Sequence, residues 1–378
     1  MRGPGTRRRG RRPAGRPGPG QRPAPSRGAL APARVRAPQS PQTPPTDLFA
    51  RRSPHGPAVP PIQARSTVLV HVRHHRVVPV VPLPAEVLAF ATRGPEWAAF
   101  VDRLPRLVRE VSEEWGLTPD GEPVSGWCSL ALPVRHDGGE AVLKLSFPDD
   151  EGEHEALALQ RWGGDGVVRL LRADPRRRAL LLERLHPVDL SSLSDVEACE
   201  VVGERYARLH VPAPPQLRPL PAYVARWTDE LAALPRDAPV PHRMVEQAVS
   251  LGRDLAADER ASGTMIHADL HYANVLAADR EPWLVIDPKP VSGDPHYEPA
   301  PMLWNRWDEV VASGDVRGAV RRRFHTLVDA AYLDEDRARD WVVVRMLHNA
   351  LWELQDHPDG PDRDYLTMCV AIAKAVQD

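Results

Sequence analysis

The sequence predicts an α+β fold in two lobes: a small antiparallel sheet with one helix, then a larger and mostly helical lobe. Three observations carry this. Between 124 and 185, short apolar runs alternate with turn residues, and Gly138-Gly139 supplies the positive φ that a tight hairpin needs. Beyond 186 the pattern changes, and segment after segment shows apolar residues at i, i+3 and i+4. Between 264 and 295 strand-like residues interrupt the helices and carry a cluster of oxygen-bearing side chains.

At 378 residues the chain has room for one large or two moderate domains. Residues 1–60 hold 13 Arg, 14 Pro and a single acid, Asp47, which leaves 36 basic and 50 acidic side chains in the remainder. The body is therefore acidic, which suits a cationic small molecule and argues against nucleic acid as its partner. Only three lysines occur, Lys144, Lys289 and Lys374. Cys128, Cys199 and Cys369 form no CxxC or metal spacing and fit reduced thiols in a cytoplasm. No apolar run reaches the length of a membrane span.

Residues 1–62 are low-complexity Arg/Pro/Gly/Ala, with too few large apolar side chains to offset ordering entropy, and are expected to be disordered. A basic tail of this kind can bind nucleic acid or a membrane surface. A transit or twin-Arg signal is disfavoured because no apolar h-region follows directly, and the natural start can instead lie downstream, near Val77 to Leu83. From Pro84, proline at a first helical position and apolar spacing through Trp115 predict two or three short helices. Val124 to Val134 and Glu140 to Phe147 form the hairpin, Glu151 to Trp162 an amphipathic helix, and Val167 to Ala173 and Ala179 to Leu185 two more strands. Helices follow at Asp195 to His210, Tyr223 to Leu234 and Met244 to Ala261. After the interruption they resume at Met302 to Ala312, Val316 to Ala331, Arg337 to Leu354 and Tyr365 to Val376. Trp341, Val344, His348, Leu351 and Trp352 share one stripe of the second-last helix and read as core.

The chemistry concentrates at Met265 to Pro295. Asp269 lies on a turn, Asn274 follows five residues later, and the apolar strand Trp283 to Ile286 ends on Asp287. Magnesium takes carboxylate and amide oxygens and leaves its other positions to water and phosphates, so Asn274 and Asp287 can hold it. Asp269 sits where a base accepts a proton from an attacking hydroxyl. His267 is expected to bond the backbone beneath this loop and carries no chemistry.

His267-x-Asp269-x4-Asn274, followed by Ile286-Asp287-Pro-Lys-Pro-Val-Ser-Gly293-Asp294-Pro, resembles the aminoglycoside/hydroxyurea antibiotic resistance kinases, within the aminoglycoside phosphotransferase-like group. Ala268 stands where that family usually has Gly. The resemblance implies a bilobal protein-kinase-like fold and ATP with Mg2+ as cofactors. It divides the chain at 63–185, N-terminal helices and nucleotide lobe, and 186–378, the helical catalytic and substrate lobe. Lys144, on the second hairpin strand, then becomes the cation for the ATP phosphates, held by Glu155 on the following helix, although Glu151 and Glu153 lie nearby. Glu183 and Leu185 become adenine contacts, by carbonyl and amide. No G-x-G-x-x-G precedes Lys144; Val124-Ser125-Gly126-Trp127 stands there instead.

Asp294, His296 and Glu298 follow the metal strand directly and are expected to face the acceptor, with Asn305, Arg306, Asp308, Glu309, Glu353 and Asp356 as further candidates. The expected reaction is O-phosphorylation of a small molecule by a cytoplasmic monomer. The resemblance implies a streptomycin-type aminoglycoside or hydroxyurea as acceptor. A kinase for an amino alcohol or sugar would share every motif, and a non-catalytic nucleotide-binding module is a third reading. A protein kinase is disfavoured by the missing glycine loop and the missing His-Arg-Asp and Asp-Phe-Gly triplets.

Overall fold

The computed structural model describes residues 81–377, and the expectations for 1–62 and for a start near Val77 lie outside them. The fold opens with the single-turn helix α1 (Ala85–Leu88) and the 21-residue α2 (Pro95–Trp115), which Gly116 ends in a left-handed conformation at φ 69°. A six-stranded antiparallel sheet follows, built from β1 (Thr118–Pro119), β2 (Val124–Ser125), β3 (Ser129–His136), β4 (Gly139–Ser146), β5 (Leu170–Asp174) and β6 (Ala179–Glu183). Its order is β1-β3-β4-β6-β5, with β2 also on β3. Helix α3 (Glu155–Trp162) leaves β4 and leads to β5.

Side-chain alternation along the strands gives the sheet two apolar faces. Leu143 and Leu145 of β4, and Ala179 and Leu181 of β6, pack with Phe100, Leu104, Val108 and Val111 of α2. Leu180 and Leu182 turn the other way and join Leu159 and Trp162 of α3 in the larger core. Burying each such leucine contributes about 2 kcal/mol. The turn between β3 and β4 puts Asp137 and Gly138 at φ 48° and 81°, the two positive values of a type I′ hairpin.

The second lobe begins with α4 (Asp195–Leu209), entered through a capping box between Ser194 and Glu197. After it come β7 (Val211–Pro212), α5 (Leu220–Ala232), α6 (His242–Ala257), β8 (Thr264–Ile266), β9 (Val275–Ala277), β10 (Trp283–Val285) and β11 (Val291–Gly293). The last five helices are α7 (Ala300–Trp304), α8 (Trp307–Ala312), α9 (Val316–Ala330), α10 (Glu335–Asp356) and α11 (Arg363–Ala375). β9 and β10 form the expected short hairpin, and β7, β8 and β11 a three-stranded sheet that periodicity over so few residues does not reveal. Trp341, Val344, His348 and Leu351 of α10 are all buried.

The lobes are joined by backbone and side chain. Val168 and His186 donate their amides to Val285 and Ala277 of the β9–β10 hairpin at 2.9 Å. The indole of Trp162 donates to the Leu209 carbonyl at 2.9 Å. Among the described residues no helix is long and apolar enough to cross a membrane.

Three expected elements differ in detail. The first strand is broken, because Gly126 donates to the Ser129 carbonyl at 2.8 Å and makes a turn. The helix expected from Glu151 starts at Glu155, because Asp149 captures the Gly152 amide at 2.6 Å in a turn of its own. Met302 to Ala312 is two helices, with Arg306 between them at φ 53°. Buried Arg323 reaches in from α9 and donates to the Asn305 carbonyl at 2.6 Å, satisfying an end that a continuous helix would have closed itself.

Candidate active site

Because Leu143 and Leu145 face α2, the intervening Lys144 must face α3 and the second lobe. Its ammonium stands 2.6 Å from Glu155 Oε1 and 2.5 Å from Asp287 Oδ1, so one lysine bridges the sheet, its helix and the segment that follows β10. Glu155, rather than Glu151 or Glu153, takes this partner. Lys289 adds a second ammonium 3.0 Å from the same Asp287 oxygen. Burial pushes Asp287 up, but Lys144 and Lys289 outweigh it and hold its carboxyl well below the usual range. Burial disfavours the Lys144 charge, and Asp287 and Glu155 overcome it and raise the lysine. Glu155 is raised by burial, with Lys144 opposing.

The turn carrying Asp269 is fixed from below. His267 is fully buried, and its Nε2 lies 3.0 Å from the Ile286 carbonyl while its Nδ1 accepts the Asp269 amide at 3.2 Å. These contacts select the tautomer with hydrogen on Nε2. Burial pushes the imidazole down, so it stays neutral. Ala268 adopts φ 64°, a left-handed value that glycine would adopt without strain. Asn274 donates its amide nitrogen to the Asp269 carbonyl at 2.8 Å, which leaves the carboxamide oxygen on the other side of the group.

The donors fit a magnesium ion: two hard oxygen-bearing side chains, Asn274 and Asp287, with Asp287 held ionised. Among the described residues no group of three or more His, Cys, Asp or Glu could hold a metal alone.

Asp294, His296 and Glu298 are turned inward, in contrast to the acceptor-facing role the sequence suggests. Glu298 is fully buried, and its two oxygens accept the amides of His267 at 2.6 Å and Ala268 at 3.2 Å. Asp294 takes Trp341 Nε1 at 2.7 Å and Arg337 Nε at 2.6 Å. His296 is held between Asp294 Oδ1 at 2.6 Å and the Asp334 amide at 3.0 Å. An acid soon after such a strand looks like ligand chemistry in sequence; here Glu298 braces the loop backbone. Glu309 pairs with Arg306, and Glu353 accepts the Asp362 amide at 2.6 Å.

At the lobe junction Glu183 pairs with Arg280 of the β9–β10 turn at 2.8 Å, and its amide donates to the Arg169 carbonyl at 3.0 Å. Leu185 is half-buried beside it.

Three residues escape the sequence reading. Lys289 sits inside the quoted motif, and its only signal was the rarity of lysine. Glu151, half-buried, is pushed up to about 7 by burial and by Asp149 and Asp269, against Lys289 and Arg218. Arg345 of α10 is buried, with its guanidinium 4.3 Å above the Tyr297 ring.

Residues 114–357 match the family described as aminoglycoside/hydroxyurea antibiotic resistance kinase. A streptomycin 6-kinase of Streptomyces glaucescens is 42% identical over 301 residues, covering 78% of this chain and 97% of that protein. A hydroxyurea phosphotransferase of Kitasatospora aureofaciens is 39% identical over 312 residues, covering 79% and 88%. Among solved structures, a choline/ethanolamine kinase family protein from Mesorhizobium loti superposes with a TM-score of 0.51 at 18% identity, covering 72% of this chain and 95% of that one. That last likeness concerns the fold alone.

Proposed function

The chain belongs to the aminoglycoside/hydroxyurea antibiotic resistance kinase family, and on that premise we propose that it inactivates a streptomycin-type aminoglycoside by transferring the γ-phosphoryl group of ATP to one of its hydroxyls. The observation that carries this reading is Lys144, held between Glu155 of the first lobe and Asp287 of the second. Lys144 orients and neutralises the triphosphate. Asn274 and Asp287 would hold Mg2+, which supplies further charge neutralisation at the phosphates. The Glu183 carbonyl and Leu185 amide receive the adenine. As the acceptor oxygen bonds to the γ-phosphorus, its proton passes to the Asp269 carboxylate and the bond to the ADP oxygen breaks. Most of the acceleration comes from positioning and charge, with the base adding about 10²- to 10⁴-fold.

Mass spectrometry after incubation with Mg-ATP tests the reading, on a panel of streptomycin, related aminocyclitols and hydroxyurea. One added phosphate on streptomycin is expected. Phosphate on hydroxyurea alone would overturn the acceptor while keeping the reaction, and no phosphate on any acceptor would overturn both.

A further inference from the structure

Lys289 has no part in the reaction described above, yet its ammonium lies 3.0 Å from the same Asp287 oxygen that Lys144 holds at 2.5 Å. Its side chain is 12% exposed, so the charge is largely withdrawn from solvent. Basic side chains in this chain are almost always arginine, and two of its three lysines meet on this one oxygen. An arginine fork fixes a planar pair of acceptors, whereas an ammonium is a compact point charge with three donors that can pass from one oxygen to another.

The backbone holds Lys289 beside the proposed base. Its amide donates to the carbonyl of His267, two residues before Asp269, at 3.0 Å. Pro288 and Pro290 flank it, and Pro290 keeps the residue before it extended. Asp287 sits at φ 56°, and left-handed backbone of that kind is kept where surrounding contacts over-determine a working geometry.

The two lysines differ in their partners. Lys144 has a carboxylate of its own in Glu155 at 2.6 Å, while the only acid paired with Lys289 among the described residues is Asp287. With Asp287 engaged by Mg2+, Lys144 keeps an anion and Lys289 keeps none. A buried ammonium without an anion is costly, and the phosphate that arrives with the metal is the anion that can meet it.

We infer that Lys289 is a second triphosphate cation, which contacts the γ-phosphoryl group on the side of the Asp269 turn while Lys144 holds the α- and β-phosphates. It forms and breaks no covalent bond and keeps its proton. Its ammonium donates to a γ-phosphoryl oxygen and stabilises the charge spread over those oxygens as the group passes from ADP to the acceptor. This rests on the phosphotransferase reading above and adds a residue that touches the transferred group.

The test measures binding of Mg-ADP and of the non-hydrolysable Mg-AMP-PNP by calorimetry for wild type, Lys289→Met and Lys289→Arg, alongside single-turnover phosphorylation of the acceptor panel above. In Lys289→Met the AMP-PNP affinity is expected to fall by about tenfold or more, the loss of one charge-assisted hydrogen bond, with the ADP affinity little changed. Transfer slows by about 10²- to 10³-fold, and Lys289→Arg recovers part of both losses. Asp287 keeps Lys144, and Lys144 keeps Glu155, so the melting temperature stays near wild type. Equal losses for ADP and AMP-PNP would make Lys289 a general neutraliser of Asp287 and overturn the inference, as would unchanged AMP-PNP affinity. Should Lys289→Met fail to fold, Lys289→Gln carries the same comparison. AMP-PNP selectivity that depends on Lys289, in a wild type that phosphorylates no acceptor, would overturn the kinase reading and leave this one standing. Transfer at the wild-type rate by Lys289→Met would do the reverse.

Discussion

The ammonium of Lys144 and the carboxylate of Asp287, 143 residues apart in sequence, stand 2.5 Å from each other. The contact joins a strand of the first lobe to the catalytic segment of the second, and it is made by two residues that both approach the phosphates in the proposed reaction. Removing the lysine leaves Glu155 buried without its cation, whereas Asp287 keeps Lys289. Lys144→Met should therefore lose about 3 kcal/mol of stability in denaturant titration. Adding Glu155→Leu should recover much of that loss while activity stays absent. A single variant as stable as wild type would show that the pair is not an uncompensated buried one.

Ala268 sits at φ 64°, where an L-residue is strained by about 1–2 kcal/mol. Glycine removes the strain but gains unfolded-state entropy, so Ala268→Gly should stabilise by about 0.5–1 kcal/mol net. Thermal unfolding reads this directly. A lower melting temperature would mean that the alanine side chain contributes packing that outweighs its backbone cost.

Glu298 accepts the amides of His267 and Ala268, in the Asp269 turn, with its two carboxylate oxygens. In Glu298→Gln one oxygen becomes an NH2 group facing an N–H. The variant should lose about 1–3 kcal/mol of stability and much of its kcat, with the ATP KM little changed. Equal losses in kcat and in ATP affinity would instead indicate general collapse of the cleft.

Glu151 ties activity and stability to pH. Burial comes first among the causes that push it up to about 7, with Asp149 and Asp269 adding and Lys289 and Arg218 opposing. Its unfolded value is near 4.5, so above that pH the unfolded chain has released a proton that the folded chain still holds. Its contribution to stability thus falls as pH rises from 4.5 through 7. Glu151→Gln should gain stability over wild type at pH 8 and show no gain at pH 4. The ionised carboxylate attracts a cationic acceptor, so the wild-type streptomycin KM should fall as pH rises through 7, and in Glu151→Gln it should be flat. Parallel pH profiles for the two enzymes would show that Glu151 does not act on the acceptor.

Much of this arrangement was legible in the sequence because it depends on short-range order. The strand period turns Lys144 away from Leu143 and Leu145, and the five-residue step from Asp269 to Asn274 closes one turn. What the sequence hid depends on long-range pairing. Glu298 lies 31 residues from the amide of His267 that it accepts, and Arg337 lies 43 residues from Asp294. No local pattern distinguishes an acid that braces a backbone from one that faces a ligand. Arg345 was hidden differently: Val344 and Met346 flank it in an otherwise core-like stretch of α10, and only the tertiary packing shows its guanidinium 4.3 Å from the Tyr297 ring.

The central claim is that Asp269 takes the acceptor's proton, and single-turnover phosphorylation of streptomycin by Asp269→Asn with Mg-ATP in excess tests it most directly. The account predicts a rate reduced by about 10²- to 10⁴-fold, with ATP bound as tightly as by wild type. Phosphate transferred at the wild-type rate would contradict it.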